Sequence, residues 1–164
     1  MVDADACPVK PEIVRIAREF GISVEMVASH DHRLQEEDGV RIVQVDSSDQ
    51  SVDLFIANRL QRGDVLVTQD FGLATIGLAR QAVALSVRGQ IYSERTIDFL
   101  LQTRHESAKK RRSGQRTKGP KAFTDEDRRN FQQTLTKVLV GMQENGGKQR
   151  IIISGSMDEG DSDE

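Results

Sequence analysis

Residues 51–70 read SVDLFIANRLQRGDVLVTQD, and this stretch decides the fold. Its first half carries apolar residues at helical spacing, which predicts a helix over residues 51–62 that ends at Gly63. The apolar run from Val65 to Val67 is typical of a strand that is buried on both faces. Asp70 follows that strand, and ligand sites of open α/β sheets form outside the carboxyl ends of strands. Asp70 is therefore the first candidate site residue.

The same alternation of helices and strands extends outward from this stretch in both directions. Alternating elements indicate a parallel sheet that helices cover on both faces, so we predict an α/β fold, a three-layer α/β/α sandwich with a mainly parallel sheet. Further strands are predicted over residues 1–4, 22–28, 40–45 and 83–87, and further helices from Pro8 or Pro11 to Phe20 and over residues 71–81.

Charge is divided unevenly along the chain. The net charge is -3, but residues 104–121 hold 8 Lys and Arg against one Glu, while the segments on either side are acidic. A helix is predicted over residues 95–105, and residues 108–122 are predicted to form a basic loop because they contain glycines and a proline and lack an apolar stripe.

The last part of the chain predicts a C-terminal helical extension. Thr124 is a good N-cap, three acids follow it, and apolar residues then recur on one face, which predicts a helix over residues 124–145. We therefore expect one domain over residues 1–145 and a tail over 146–164. Residues 149–154 fit either a final strand or part of that tail. Residues 157–164 carry five acids and no base, which predicts disorder.

Composition excludes several classes of protein. No apolar run reaches the length that spans a bilayer, and no signal peptide is recognisable, so we expect a cytoplasmic protein without a membrane partner. Cys7 is the only cysteine, which excludes an intrachain disulfide and a cysteine zinc cage. Aromatic residues make up 4%, too few for a platform on which successive bases stack.

The acidic residues that begin or follow predicted elements form the candidate site. Asp3 and Asp5 lie two apart, so in an extended segment their side chains face the same way. Asp53 lies in the first turn of the predicted helix, and Asp49 lies just upstream. Carboxylates that gather at one edge repel one another unless a cation lies between them, which favours a divalent-metal site.

Each of these residues also has an ordinary structural explanation. Asp3 or Asp5 could cap the first helix, and the helix dipole favours an acid at position 53. Thr68 could hydrogen-bond a metal-bound water or a neighbouring carboxylate, but threonine is also a common strand residue. Asp64 is predicted to be a turn residue at the opposite end of its strand, remote from the site.

Three separated motifs carry a resemblance to a known family. They are VDADACPV at residues 2–9, SVDLFIANRLQRGDVLVTQDFGLA at 51–74 and RHESAKKRRSGQRTKGPKAFTDEDRRNF at 104–131. In this order they resemble the YaiI/YqxD family, small bacterial proteins of uncertain function that carry the label UPF0178. The resemblance covers residues 1 to about 143.

The block from Asp53 to Asp70 also resembles the core of PIN and NYN-type nuclease domains. That resemblance implies a PIN-like fold and a phosphodiesterase site that depends on Mg²⁺ or Mn²⁺ and acts on RNA. Residue by residue, it implies that Asp3, Asp53 and Asp70 are metal ligands. Asp5 is the extra acid of the YaiI/YqxD opening motif and a further candidate ligand. These four acids, with Thr68 beside them, are the candidate catalytic residues. Asp49 is a candidate for a further ligand by position only.

The basic segment suggests how a nucleic acid could be held. Contacts between cationic side chains and phosphates give affinity that depends strongly on salt and little on sequence. The alternative is a solvated loop that balances the acidic body. The candidate phosphate contacts are Lys109, Lys110, Arg111, Arg112, Arg116, Lys118 and Lys121.

Two other functions fit parts of the pattern. The motif Asp3-Ala4-Asp5 also imitates the nucleophile and acid of DxD-type phosphatases, although the later metal motif of those enzymes is spaced differently here. The protein could also bind RNA or a nucleotide through its basic segment without catalysis. A histidine catalyst is disfavoured because His30, His32 and His105 are scattered, and Cys7 is expected to pack beside the first helix.

Overall fold

A computed structural model describes residues 7–29, 39–45, 49–114, 122–144 and 150–154, with only the backbone described at 49–51. Five helices and five strands lie in these ranges. The helices are α1 (Lys10–Phe20), α2 (Asp49–Arg59), α3 (Phe71–Ala79), α4 (Glu94–Arg112) and α5 (Asp125–Glu144). The strands are β1 (Ser23–Ser29), β2 (Val40–Val45), β3 (Val65–Val67), β4 (Val83–Leu85) and β5 (Arg150–Ser154).

The five strands form one parallel sheet in the order β2-β1-β5-β3-β4. The last strand of the chain therefore lies in the middle of the sheet, where Ile151 pairs with Val24 on one side and with Val65 on the other. A strand in this position is covered on both faces and needs a continuous apolar run, which Ile151, Ile152 and Ile153 provide.

Alternate residues of each strand face opposite layers of helices. Val65, Val67, Ile151 and Ile153 pack with α1 and α5, which contribute residues such as Ile13, Phe131, Leu135 and Leu139. Leu66 and Ile152 face the other way and pack with Val52 and Ile56 of α2, with Leu60 just after that helix, and with Leu73 of α3. The predicted α/β sandwich with a parallel sheet is confirmed.

The predicted tail needs a correction, because residues 150–154 form the central strand. A domain boundary at residue 145 is too early, since the sheet would lose its middle strand there. Sequence alone left this segment open, because three isoleucines in a row fit either a buried strand or an apolar tail. Residues 157–164, for which disorder is predicted, lie outside the described residues.

The predicted basic loop also needs a correction. Helix α4 does not end near residue 105 but continues to Arg112, so residues 108–112 are helical. Ile97 is the buried residue of this helix, and the distal half needs no apolar stripe because its side chains face solvent for the most part. Lysine and arginine are good helix formers, and cations in a last turn interact favourably with the helix dipole.

Helix ends are fixed by local signals that match the sequence predictions. Gly21 closes α1 in the left-handed conformation, with φ of 67°, and its N–H donates to the carbonyl of Arg18. At the start of α5, the N–H of Asp127 donates to Thr124 Oγ1, and the N–H of Thr124 donates to Asp127 Oδ2. The predicted C-terminal helix is thus found one residue inside each of its predicted ends.

Candidate functional site at the carboxyl edge of the sheet

The turn after β3 is held rigidly by its own hydrogen bonds. Thr68 is buried, and its Oγ1 accepts a hydrogen bond from the backbone N–H of Asp70 at 3.1 Å. Its backbone N–H donates to the carbonyl of Leu85 at 3.0 Å, and its carbonyl accepts from the hydroxyl of Tyr92 at 3.2 Å. Thr68 therefore positions Asp70. A contact of Thr68 with a metal-bound water or a neighbouring carboxylate stays a prediction.

Asp70 is the N-cap of α3. Its Oδ1 accepts from the backbone N–H of Leu73 at 2.9 Å, which satisfies one of the open donors in the first turn. The side chain is exposed, and no lysine or arginine among the described residues forms a salt bridge with it. The cap uses one oxygen, so the second can serve another ligand.

Asp53 is placed by the packing of α2 on the sheet. Its neighbour Val52 is buried in the same apolar cluster as Leu73, the residue that bonds Asp70. The helices α2 and α3 contact each other on this face, and both begin at the carboxyl edge of the sheet. Asp53 is half-buried, and its Oδ1 is fully covered. The fold thus brings the Asp53 and Asp70 segments to one edge.

Three further acids, Asp3, Asp5 and Asp49, are predicted as metal ligands. Asp3 and Asp5 lie outside the described residues, as does the side chain of Asp49, whose backbone belongs to α2. Within the described part of the chain, no group of three or more His, Cys, Asp or Glu residues is arranged to hold a metal ion.

Cys7, the first described residue, precedes α1, and because α1 ends where β1 begins, the start of α1 lies toward the same edge. It is buried in the apolar cluster that includes Val67, Leu85 and Ile153, the residues near the carboxyl ends of three strands. Burial raises the pKa of its thiol to about 12, against an ordinary value of 9.0. A thiol in this state is not a nucleophile at neutral pH, so packing is its role here.

The basic end of α4 presents a cluster of cations to solvent. Lys109, Lys110, Arg111 and Arg112 are all exposed in the last turn of the helix. Ser113 follows as the C-cap, and Gly114 has φ of 85°. The predicted phosphate contacts Arg116, Lys118 and Lys121 lie outside the described residues. The four described cations keep their predicted exposure but are carried by a helix rather than a loop.

A cleft beside Asp70 was missed by the sequence analysis. It measures about 500 Å³ and is bordered by the residues on either side of Asp70, Gln69 and Phe71, and by the turn that follows β4. Gly89 shapes that turn, since its φ is 85° and an added Cβ would lie 2.6 Å from the backbone carbon of Asn130 in α5. The glycine after an apolar strand was the only signal of this turn in the sequence.

An ion pair closes one side of the cleft. Arg88 Nη1 lies 2.5 Å from Asp127 Oδ2, and the guanidinium lies 5.9 Å from the centre of the Phe123 ring. Hydrogen bonds from Thr124 and the neighbouring Arg88 hold the pKa of Asp127 below its ordinary value. Asp127 is therefore ionised at neutral pH, and the pair adds no net charge to the cleft.

Comparison with known proteins decides the family. The family model described as "Uncharacterized BCR, YaiI/YqxD family" matches residues 1–141. The chain belongs to the YaiI/YqxD family. It is 50% identical over 139 residues to a UPF0178 protein of Bacillus velezensis, covering 84% of this chain and 83% of that one. A UPF0178 protein of Halalkalibacterium halodurans is 44% identical over 138 residues, covering 84% and 88%.

A third YaiI/YqxD relative, from Listeria monocytogenes, is 43% identical over 139 residues, covering 85% of this chain and 93% of that one. No solved structure matches the chain. The matched residues include Asp53, Asp70, the cleft and the basic end of α4, whereas β5 begins at Arg150, after the family match ends. Among the described helices, none is long and apolar enough to cross a membrane.

Proposed function

We propose that this YaiI/YqxD protein is a metal-dependent phosphodiesterase of the PIN-like type that acts on RNA. The observation that carries the proposal is the common edge of the Asp53 and Asp70 segments, at the carboxyl ends of parallel strands. Such edges are where open α/β sheets bind ligands. Cys7 packs near the same edge, and in sequence Asp5 precedes it by two residues and Asp3 by four.

The donor set suits a hard divalent cation. Asp3, Asp5, Asp53 and Asp70 would hold Mg²⁺ or Mn²⁺, because carboxylate oxygens are the ligands that these ions prefer. When bound, such an ion supplies an activated water and neutralises charge on a phosphoryl oxygen. Asp70 fits this role because it is exposed, lacks a described cationic partner and uses one oxygen as a cap.

The chain's own residues have separate tasks in this proposal. Thr68 holds the turn, so that Asp70 keeps one orientation when a substrate approaches. The cations of residues 109–112 attract the phosphate backbone and give affinity with little sequence preference. The metal-binding carboxylates and the phosphate-binding cations would then occur on the same molecule without neutralising each other's charge.

Two isosteric substitutions test the proposal, Asp53→Asn and Asp70→Asn. Asparagine is also a good N-cap, so Asp70→Asn removes the charge and keeps the bond to Leu73 N–H. We expect each variant to lower Mg²⁺- or Mn²⁺-dependent cleavage of single-stranded RNA by at least about 100-fold, since even indirect supports of a metal site cost 10–100-fold. Asp98→Asn, an exposed acid of α4, is the matched control and should cleave normally.

Cleavage by purified Asp53→Asn and Asp70→Asn at the wild-type rate would refute the assignment. If the wild type binds RNA in a salt-dependent manner and never cleaves it, the protein is a non-catalytic RNA-binding protein instead. RNA binding without catalysis would need only the exposed cations of residues 109–112. Purification of each variant in parallel excludes a contaminating nuclease, because a contaminant would ignore the substitutions.

A further inference from the structure

The cleft beside Asp70 combines an apolar floor with a polar rim. Tyr92 is buried, and its ring meets that of Phe71 edge to face, with centroids 6.1 Å apart and an interplanar angle of 68°. Phe71 is only partly buried, so part of its ring remains open to the cleft. Val87 and Leu100 complete the apolar lining.

The rim carries groups that can both donate and accept hydrogen bonds. Gln69 and Gln90 are exposed and border the cleft. The backbone of Gln90 is fixed, since its N–H donates to Ser86 Oγ at 3.1 Å and its carbonyl accepts from the N–H of Ser86 at 2.9 Å. Each glutamine amide offers an acceptor oxygen and two N–H donors, which match the edge of a nucleobase.

The electrostatics of the cleft favour a neutral occupant. Arg88 is paired with Asp127, so its charge is balanced within the cleft wall. A phosphate group would instead bind where the net charge of the site is positive, as at the basic end of α4. A flat, neutral group with hydrogen-bonding edges suits this lining best. The volume of the cleft lies in the usual range for small-molecule pockets.

We propose that the cleft is a nucleobase subsite, in which Gln69 and Gln90 contact the base edge and Phe71 contacts its face. This inference rests on the proposed function, because it assigns the cleft to the nucleotide next to the phosphate at Asp70. One ring suffices for one base, so the low aromatic content is no obstacle. Base choice would arise here, whereas the cations of residues 109–112 would contact phosphates of any sequence.

The floor of the cleft is directly joined to the turn that carries Asp70. The hydroxyl of Tyr92 donates to the carbonyl of Thr68, and Thr68 Oγ1 accepts from the N–H of Asp70. A base seated on this floor therefore contacts the same rigid unit that orients the carboxylate. The subsite would place the base and the reacting phosphate in one fixed relation.

Tyr92 provides a direct probe, since it is the only tyrosine of the chain. Full-length protein labelled with ¹³C-tyrosine gives one set of tyrosine ring signals. We would titrate it with each of the four nucleoside 5′-monophosphates in EDTA, so that metal and cleavage play no part. We expect a saturable shift with a Kd that differs among the four bases. Inorganic phosphate, the control for the phosphate group, should leave the ring signals in place.

The variant Gln69→Ala/Gln90→Ala should raise the Kd for the preferred base about tenfold, as expected for the loss of two hydrogen bonds. Gln133→Ala, an exposed glutamine on α5, is the matched control and should keep the wild-type Kd. Unchanged starting positions of the Tyr92 signals verify that the cleft is intact in each variant.

Absence of a saturable shift, or equal Kd values in the wild type and the double variant, would overturn the subsite. A shift of the same size with inorganic phosphate would also overturn it, because the phosphate would then be the recognised group. None of these results bears on cleavage, which Asp53→Asn and Asp70→Asn test separately. Conversely, if the cleavage test refutes the nuclease proposal and base recognition is intact, the cleft is a nucleotide-binding site.

Discussion

The two edges of the sheet use acidic residues in opposite ways. At the amino edge, Glu25 of β1 is buried and receives two hydrogen bonds from Arg59, Nε to Oε2 at 2.7 Å and Nη2 to Oε1 at 2.6 Å. At the carboxyl edge, Asp70 is exposed, and its Oδ1 accepts a hydrogen bond from a backbone N–H of the helix that it caps. Glu25 forms an ion pair with a guanidinium of the fold, whereas the carboxylate of Asp70 stays accessible to solvent.

Arg150, the first residue of β5, extends the ion network at the amino edge. Its Nη2 lies 3.0 Å from Asp64 Oδ2, and its Nη1 lies 3.6 Å from Glu25 Oε2. Asp64 also accepts from the backbone N–H of Gln61 at 2.8 Å. Two acids and two arginines thus neutralise one another, so this edge has a structural role. Asp64 lies remote from the candidate site, as the sequence predicted.

This comparison shows that the type of residue does not by itself assign a role. An aspartate beside a strand is structural where a fixed guanidinium satisfies it, as at Asp64. Such an aspartate is available to a ligand where the fold leaves one of its carboxylate oxygens exposed to solvent, as at Asp70. Substitutions at one edge that leave the other edge unchanged therefore test this contrast.

The largest effect on stability is expected at the amino edge. Asp64→Ala removes the main partner of Arg150 and leaves the N–H of Gln61 without its acceptor. Breaking one partner of a buried pair is costly, so we expect unfolding by urea to show a loss of about 3 kcal/mol at pH 7. Asp98→Ala, an exposed acid, should change the free energy of unfolding by less than about 0.5 kcal/mol. Equal losses in the two variants would contradict a structural role for the amino edge.

Acid should weaken the amino edge through Glu25. The hydrogen bonds from Arg59 lower the pKa of this carboxyl from its ordinary value of 4.5. A pKa that is lower in the folded state adds stability above pH 4.5, and this stability is lost as the pH falls through the folded-state pKa.

We therefore expect the stability advantage of the wild type over Glu25→Gln, measured by urea unfolding, to be full near pH 7 and to shrink below pH 4.5. A difference that stays constant from pH 7 to pH 3 would show that Glu25 is not held ionised by Arg59.

A smaller effect is expected at the carboxyl edge, where charge and capping can be separated. Asp70→Ala removes the cap of α3 and should cost about 1 kcal/mol in urea unfolding. Asp70→Asn keeps an oxygen that accepts from Leu73 and should cost less than half of that. If Asp70→Asn destabilises as much as alanine, the carboxylate charge has a structural partner, and the contrast between the edges weakens.

Local patterns predicted most elements because they depend on neighbours in the chain. Helical spacing predicted an apolar stripe of Val52, Phe55, Ile56 and Leu60. Phe55 is partly buried, and the other three are buried. The bounds predicted for β2 and for the short apolar run of β3 are the bounds that the structure shows. The acid after β3 was also predicted, since a buried strand followed by Thr68 and Asp70 is visible in sequence.

Features that depend on distant contacts were not predicted. The cleft joins Gln69 in the turn after β3, Arg88 in the turn after β4 and Asp127 in α5. The position of β5 depends on β1 and β3, and its fixation depends on Asp64, which lies 86 residues before Arg150. The extension of α4 to Arg112 was not predicted because this solvent-exposed helix end carries no apolar stripe.

Periodicity and capping act over a few residues, so the amino-acid order was enough to predict the α/β class, the family, most helix and strand positions and the acids that follow or begin them. Tertiary structure alone decided the strand order, the central place of β5, the pairing of the amino edge and the cleft beside Asp70. The physical reason is that burial and ion pairing depend on which surfaces meet. A strand of three isoleucines gains stability only where two neighbouring strands and two helical layers cover it.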